Sequence, residues 1–256
     1  EIGLNKIINF SKKLKIYERP EELMSISLGS AETTLLKMTS AYSSFVNGGK
    51  LVEPIFIDRI QDSEGKTIFK NKLRFCKDCD LISYTSENLP QIKNNYKQIF
   101  SPQTAYQMTS ILEGVVQRGT GKKLKDLNLQ LAGKTGTTNK NTDAWFIGFT
   151  SNLVIGVYVG FDNPRTLGKF ETGSKTALPI FKEFVKNSVN NHEARPFKVA
   201  KGIKMMVVDA STGKKADSNS KSTIIESFKE EKIANNNKID IDNIADVSKT
   251  NILRFY

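Results

Sequence analysis

Histidine is almost missing from this chain: one residue, His192, follows Asn190 and Asn191 in a polar stretch. A serine nucleophile that relies on histidine would have only this base to use, and a lone His in a linker is poorly placed for it. Cysteine is nearly as scarce. Cys76 and Cys79, even joined by His192, cannot complete a four-ligand zinc centre, so no metal site is expected. Long apolar runs are lacking too. The longest, Leu153 to Phe161, falls far below the ~20 residues of a membrane-spanning helix. No secretory signal pattern is visible and the first residue is Glu1, so the expectation is a fragment or a processed product.

Acidic residues are in deficit, 27 against 38 Lys and Arg, which leaves a net charge of +11 and a pI near 9.5. Such a balance suits polyanions, but no Arg-rich helix or aromatic-basic platform accompanies it. The lysines are scattered among Asn and Ile, the pattern of solvated faces, so nucleic acid is not expected as a partner. A basic exterior also suits an anionic membrane or wall surface. With 256 residues, 38% of them hydrophobic and 25% charged, the chain is long enough for one sizeable domain or two small ones.

Ile2, Ile7, Ile8, Phe10 and Leu14 recur at mostly helical spacing and predict a short amphipathic helix over 2–14. A longer helix is expected over 31–46, with Leu35, Met38, Tyr42, Phe45 and Val46 on its apolar face; Asn47-Gly48-Gly49 ends it with a left-handed cap. Segments 51–60 and 66–69 flank Ser63-Glu64-Gly65, a hairpin signal. Residues 71–100 are polar and irregular, an insertion or lid. Ser101-Pro102 starts a helix that turns Tyr106, Thr109, Leu112 and Val116 inward and stops at Gly119. Strands follow at about 129–137, 145–150 and 153–161, an antiparallel meander by its short connections. A last helix over 179–189 would cover the sheet with Ile180, Phe181, Phe184, Val185 and Val189. From Gly213 onward Lys, Asn, Ser and Asp dominate, and a loose tail is expected. An antiparallel sheet flanked by helices is an α+β fold.

The most informative stretch is Lys134-Thr135-Gly136-Thr137-Thr138, followed by Asp143-Ala144-Trp145-Phe146. An edge strand carrying a cation, two hydroxyls and a Gly offers a carboxylate a charge partner, donors and close backbone approach. Period-2 alternation puts Thr135 and Thr137 on one face, Lys134 and Gly136 on the other. In acyl-serine enzymes a Lys-Thr-Gly box is one of three site elements, beside Ser-x-x-Lys and Ser-x-Asn or its equivalent. Three Ser-x-x-Lys matches exist: Ser63 with Lys66, Ser211 with Lys214 and Ser218 with Lys221. The first two fall in turns and the third in the polar tail, whereas lysine activation needs both residues one turn apart on a helix. Ser86-Glu87-Asn88 and Ser188-Val189-Asn190 fare no better, in the insertion and at a helix end.

Around the box, Ser27-Leu28-Gly29-Ser30-Ala31-Glu32-Thr33-Thr34-Leu35, Ala41-Tyr42, Asn47-Gly48-Gly49, Gly114 to Gly121 (Gly-Val-Val-Gln-Arg-Gly-Thr-Gly) and Gly160-Phe161-Asp162 occur in a telling order. With the opening Ile2-Gly3-Leu4, they resemble the later part of the transpeptidase domain in class A penicillin-binding proteins, over about 1–207. The resemblance implies a penicilloyl-serine transferase fold and both missing motifs upstream of this stretch; beyond it, 208–256 is expected to be a polar, flexible tail.

It gives Lys134 the place of the Lys that organises the serine and lysine network and attracts the ligand carboxylate. Thr135 and Thr137 match the hydroxyls that bind that carboxylate, Gly136 lies between them, and the Thr137 backbone N–H matches one oxyanion donor. The implied reaction is acyl transfer from D-alanyl-D-alanine between wall stem peptides, without a cofactor and inhibited by β-lactam antibiotics. A glycosyltransferase domain and an inner-membrane anchor are implied upstream, on the periplasmic side. Asp143 and Trp145 are expected to fix the strand after the box, not to touch substrate. Rival readings are a serine β-lactamase or D,D-carboxypeptidase, and a non-catalytic remnant that binds without turnover. Cys76-Lys77-Asp78-Cys79 suits redox chemistry or half a metal site in the cytosol; in an oxidising compartment a local disulfide is the plainer reading.

Overall fold

The computed structural model describes residues 2–71, 74–77, 91–94, 96–189 and 195–230, with 74–77 and 91–94 described by their backbone. Helix α1 spans Leu4–Lys13 and α2 spans Leu35–Val46. The Thr34 hydroxyl caps α2 by accepting from the Lys37 N–H at 3.2 Å. Its far end closes at Asn47, and Gly48 follows at φ +64°, the left-handed turn that glycine adopts without a Cβ penalty.

Two small hairpins come next. Strand β1 (Arg59–Gln61) pairs with β2 (Thr67–Lys70) across the expected turn, but residues 51–58 carry no strand. Strand β3 (Arg74–Lys77) pairs with β4 (Gln91–Asn94) inside the segment expected to be irregular. Cys76 stands opposite Ile92 in that ladder; Cys79 lies outside the described residues, as do Ser86 and His192.

Helix α3 (Pro102–Arg118) begins as its sequence dictates. Ser101 caps the Thr104 N–H at 3.2 Å, and Pro102 occupies the first turn, where its missing N–H costs nothing. The central sheet is the meander β5 (Ala132–Thr137), β6 (Asp143–Phe149) and β7 (Val154–Gly160), in that spatial order and antiparallel throughout. Thr150 makes the turn between β6 and β7 by accepting from the Leu153 N–H at 3.1 Å.

Helix α4 (Ala177–Ser188) covers one sheet face. Phe181 meets Phe146 edge-on at 4.8 Å, and a Cβ on Gly148 would come within 2.6 Å of the Phe181 ring. Helix α2 covers the other face, where the methylene of Gly156 lies against Leu35 and Thr39. Leu112 of α3 joins Ala132, Phe149, Tyr42 and Phe45 on that side, while Val116 one turn later joins Phe146, Leu178 and Phe181. Helix α3 thus runs along the β5 side of the sheet and contributes to both cores.

Two expectations need correction. Ile180 and Phe184 do not point inward; they are 51% and 49% exposed. The buried stripe of α4 is Ala177, Leu178, Phe181 and Val185, and at 3.6 residues per turn Ile180 and Phe184 sit beside it. The segment expected to be loose contains β9 (Thr223–Lys229), paired along its whole length with β8 (Ile203–Asp209). A boundary after residue 207 would cut β8 near its end. This hairpin is tied to α3 by polar contacts: Gln107 to the Ser227 carbonyl at 2.9 Å, Arg118 to Glu226 at 2.6 Å, and Lys229 to the Thr104 hydroxyl at 2.8 Å. Thin apolar content therefore hid it. Residues 231–256 lie outside the described set.

Candidate active site

Among the described residues strand β5 is an edge strand, so one of its sides carries backbone groups with no ladder partner there. Its register sets Lys134 opposite Ile147, Thr135 opposite Phe146, Gly136 opposite Trp145 and Thr137 opposite Ala144. Directly opposed residues share a face. Thr135 and Thr137 are therefore on the α4 side with Phe146 and Ala144, and Lys134 and Gly136 are on the α2 side, as the alternation predicts.

The Thr138 N–H bonds the Asp143 carbonyl at 3.2 Å, which sets the phase of the ladder. Hydrogen-bonded and non-hydrogen-bonded pairs alternate in an antiparallel sheet. The N–H and C=O groups of Thr135 and Thr137 consequently face the open edge. Lys134 reaches the same edge: its Nζ donates to the Thr135 carbonyl at 2.9 Å. The result is an exposed row of an ammonium, two outward N–H groups and two hydroxyls over four residues.

Both hydroxyls are held from outside the strand. Thr135 Oγ1 lies 3.0 Å from Thr120 Oγ1, just past the end of α3. Thr137 Oγ1 accepts the Gly173 N–H at 3.0 Å. Gly173 lies flat on the sheet: a Cβ there would sit 2.4 Å from the Trp145 carbonyl oxygen and 2.6 Å from that of Gly136. Its own carbonyl accepts the Leu178 N–H at 2.8 Å, so the start of α4 hangs from the same residue. An N–H can only donate, which leaves the proton of the Thr137 hydroxyl free for an acceptor.

The turn after the box is closed by side chains. Asp143 Oδ1 accepts from the Tyr158 hydroxyl at 2.8 Å, and the Asp143 N–H donates to Thr138 Oγ1 at 2.9 Å. That bond to Asp143 raises the Tyr158 hydroxyl above its ordinary pKa. The Trp145 ring packs against that of Tyr158, centroids 4.8 Å apart and planes tilted by 55°. Asp143 and Trp145 thus both make contacts within the sheet and its turn.

Among the described residues, the structure sets Lys134, Thr135, Gly136 and Thr137 together on β5, and none of the three Ser-x-x-Lys pairs lies on a helix. Ser63, Ser211 and Ser218 all lie in turns, and Ser188 ends α4. Among the described residues no cluster of three or more His, Cys, Asp and Glu could hold a metal ion. Sequence reading missed Thr120 and Gly173 as partners of the box. Thr120 carried a signal, a hydroxyl between Gly119 and Gly121 just past a helix end; Gly173 sat in an ordinary Thr-Gly-Ser turn and carried none.

Residues 10–186 match the penicillin-binding protein transpeptidase domain family. The chain is 42% identical to penicillin-binding protein 1A of Rickettsia conorii over 230 residues, 89% of this chain and 29% of that protein. It thus spans under a third of the length of that curated relative. The crystal structure of penicillin-binding protein 1A from Haemophilus influenzae superposes with a TM-score of 0.71 at 27% identity, over 88% of this chain and 36% of that one. The PonA1 protein of Mycobacterium tuberculosis in complex with penicillin V shares the fold, with a TM-score of 0.58 at 20% identity over 77% of this chain and 53% of that one.

Proposed function

The chain belongs to the penicillin-binding protein transpeptidase family, and from that premise we propose that its β5 edge is the carboxylate and oxyanion side of a serine D,D-transpeptidase site. The observation that carries this reading is the open edge itself. An ammonium, outward N–H groups and two side-held hydroxyls converge where a peptide carboxylate and a developing alkoxide both need donors.

In the proposed reaction a serine Oγ attacks the carbonyl between the two D-alanines of a stem peptide, and a lysine one helical turn on accepts its proton. The Thr137 N–H would stabilise the tetrahedral oxyanion. Lys134, Thr135 and Thr137 would hold the terminal carboxylate, with Gly136 permitting close approach. The terminal D-alanine leaves with a proton, and the amine of a neighbouring stem then attacks the acyl-serine to complete the cross-link. A β-lactam would acylate the same serine. Serine and lysine would come from part of the gene product outside these 256 residues, together with a glycosyltransferase domain and a membrane anchor that put the site on the periplasmic face. Leu28, Phe56 and Met24, 92, 81 and 71% exposed, suit positions covered by such additional structure.

The test is the second-order rate of acylation by labelled benzylpenicillin in the full-length gene product. Lys134 is exposed, so Lys134→Ala should leave folding within about 0.5 kcal/mol of wild type. Losing charge-assisted hydrogen bonds of roughly 1.5–3 kcal/mol should slow acylation at least about tenfold. The 256-residue chain alone should form no adduct by mass spectrometry. Wild-type acylation by the Lys134 variant would remove the box from the site.

A further inference from the structure

Thr120 is placed with unusual firmness for an exposed residue. The N–H groups of Gly119 and Gly121, on either side of it, both bond the Val115 carbonyl at 3.0 Å. The chain curls so tightly over the last turn of α3 that a Cβ on Gly119 would stand 2.9 Å from Val115 Cα and O. The following turn is anchored by fully buried Leu124, whose N–H bonds the Gly121 carbonyl at 2.9 Å. Arg118, the last helical residue, is pinned to Glu226. A β-branched side chain on such a backbone has few rotamers to choose from. What this framework presents is one hydroxyl, 3.0 Å from that of Thr135.

Only one proton can lie between two hydroxyl oxygens, and the other is then available elsewhere. A carboxylate at the β5 edge can only accept, so it selects the arrangement in which Thr120 donates to Thr135 and Thr135 donates to the anion. Donation into the Thr135 oxygen also polarises its O–H, which strengthens the bond it makes in turn. We infer that Thr120 is a positioning residue for ligand recognition: it sets the rotamer and donor polarity of the Thr135 hydroxyl toward the carboxylate of the acyl donor. This rests on the proposed role of the β5 edge.

The experiment measures acylation of the full-length gene product by benzylpenicillin and by its methyl ester, in wild type, Thr120→Val, Thr120→Ser and Lys134→Ala. Thr120→Val keeps the shape and loses the hydroxyl; its acylation by benzylpenicillin should slow by about three- to tenfold. Thr120→Ser should return to within about twofold of wild type, since one hydroxyl bond of ordinary strength is restored. With the methyl ester, which carries no anion, the deficit of Thr120→Val should disappear. A deficit equal for acid and ester would mean a merely structural role and would overturn the inference. So would wild-type behaviour of Thr120→Val beside a slowed Lys134→Ala, which would leave the role of the edge intact. Wild-type rates in both would overturn the two together. If Thr120→Val does not fold, Thr120→Ala reads the same loss.

Discussion

Gly173→Ala is the most direct perturbation of the packing behind the box. The added methyl would sit 2.4 Å from the Trp145 carbonyl oxygen and 2.6 Å from the Gly136 carbonyl oxygen, where ordinary contact begins at 3.4 Å. Both obstacles are backbone atoms of the central sheet and cannot swing aside as a side chain would. The segment around residue 173 must therefore lift by roughly an ångström, the scale at which overpacking costs about 1–3 kcal/mol. Lifting also lengthens the Gly173 N–H bond to Thr137 and the Leu178 N–H bond to Gly173, now 3.0 and 2.8 Å. At about 2–4 °C per kcal/mol for a domain of this size, the melting temperature should fall by roughly 2–12 °C. Acylation should slow as well, because the Thr137 hydroxyl loses the donor that leaves its proton free. Thermal denaturation and labelled-penicillin kinetics on the full-length variant read the two effects. A variant that melts within about 1 °C of wild type and acylates normally would refute the close approach of the two backbones.

Phe181→Ala should destabilise by about 3–5 kcal/mol, since the ring is fully buried between Phe146 and Gly148, whereas half-exposed Ile180→Ala should cost under ~1 kcal/mol. Equal effects in denaturant titrations would contradict the phase assigned to α4. Asp209 accepts from the Ser211 hydroxyl and from the Thr212 and Ser211 N–H groups, which hold its carboxyl down at about 2. A depressed carboxylate stabilises the fold above its unfolded pKa of ~3.9 and loses that contribution as pH falls toward 2. The denaturation midpoints of wild type and Asp209→Asn should therefore differ most near pH 5 and converge on acidification; a constant gap would exclude this carboxylate as the cause.

What could be foreseen from the residues was local in the chain. Ser101-Pro102, Gly119 and Asn47-Gly48 bracket their helices by cap chemistry that acts within a turn, and the β5-β6-β7 meander followed from short connections. The box declared itself because cation, hydroxyls and glycine are consecutive. Its supports did not, because they come from afar: Thr120 is 15 residues from Thr135, and Gly173 is 36 from Thr137. Ile180 and Phe184 misled because four apolar neighbours on one helix leave the phase of the buried stripe ambiguous until the sheet chooses it. Strand β9 was invisible for another reason. Its anchors to α3 are Ser227, Glu226 and Lys229, residue types that composition assigns to solvent.

That hairpin also has a consequence in time. Its three ties to α3 join residues 120, 108 and 125 positions apart, contacts that close very long loops. Such contacts repay their closure entropy only after much else is in place. A ribosome emits Arg118 long before Glu226, so the polar groups of α3 that meet the hairpin wait for these partners until nearly all of the described chain has been made. The proposed ligand-binding edge therefore gains its last support from the far end of the polypeptide, after both cores beneath it have had the chance to form.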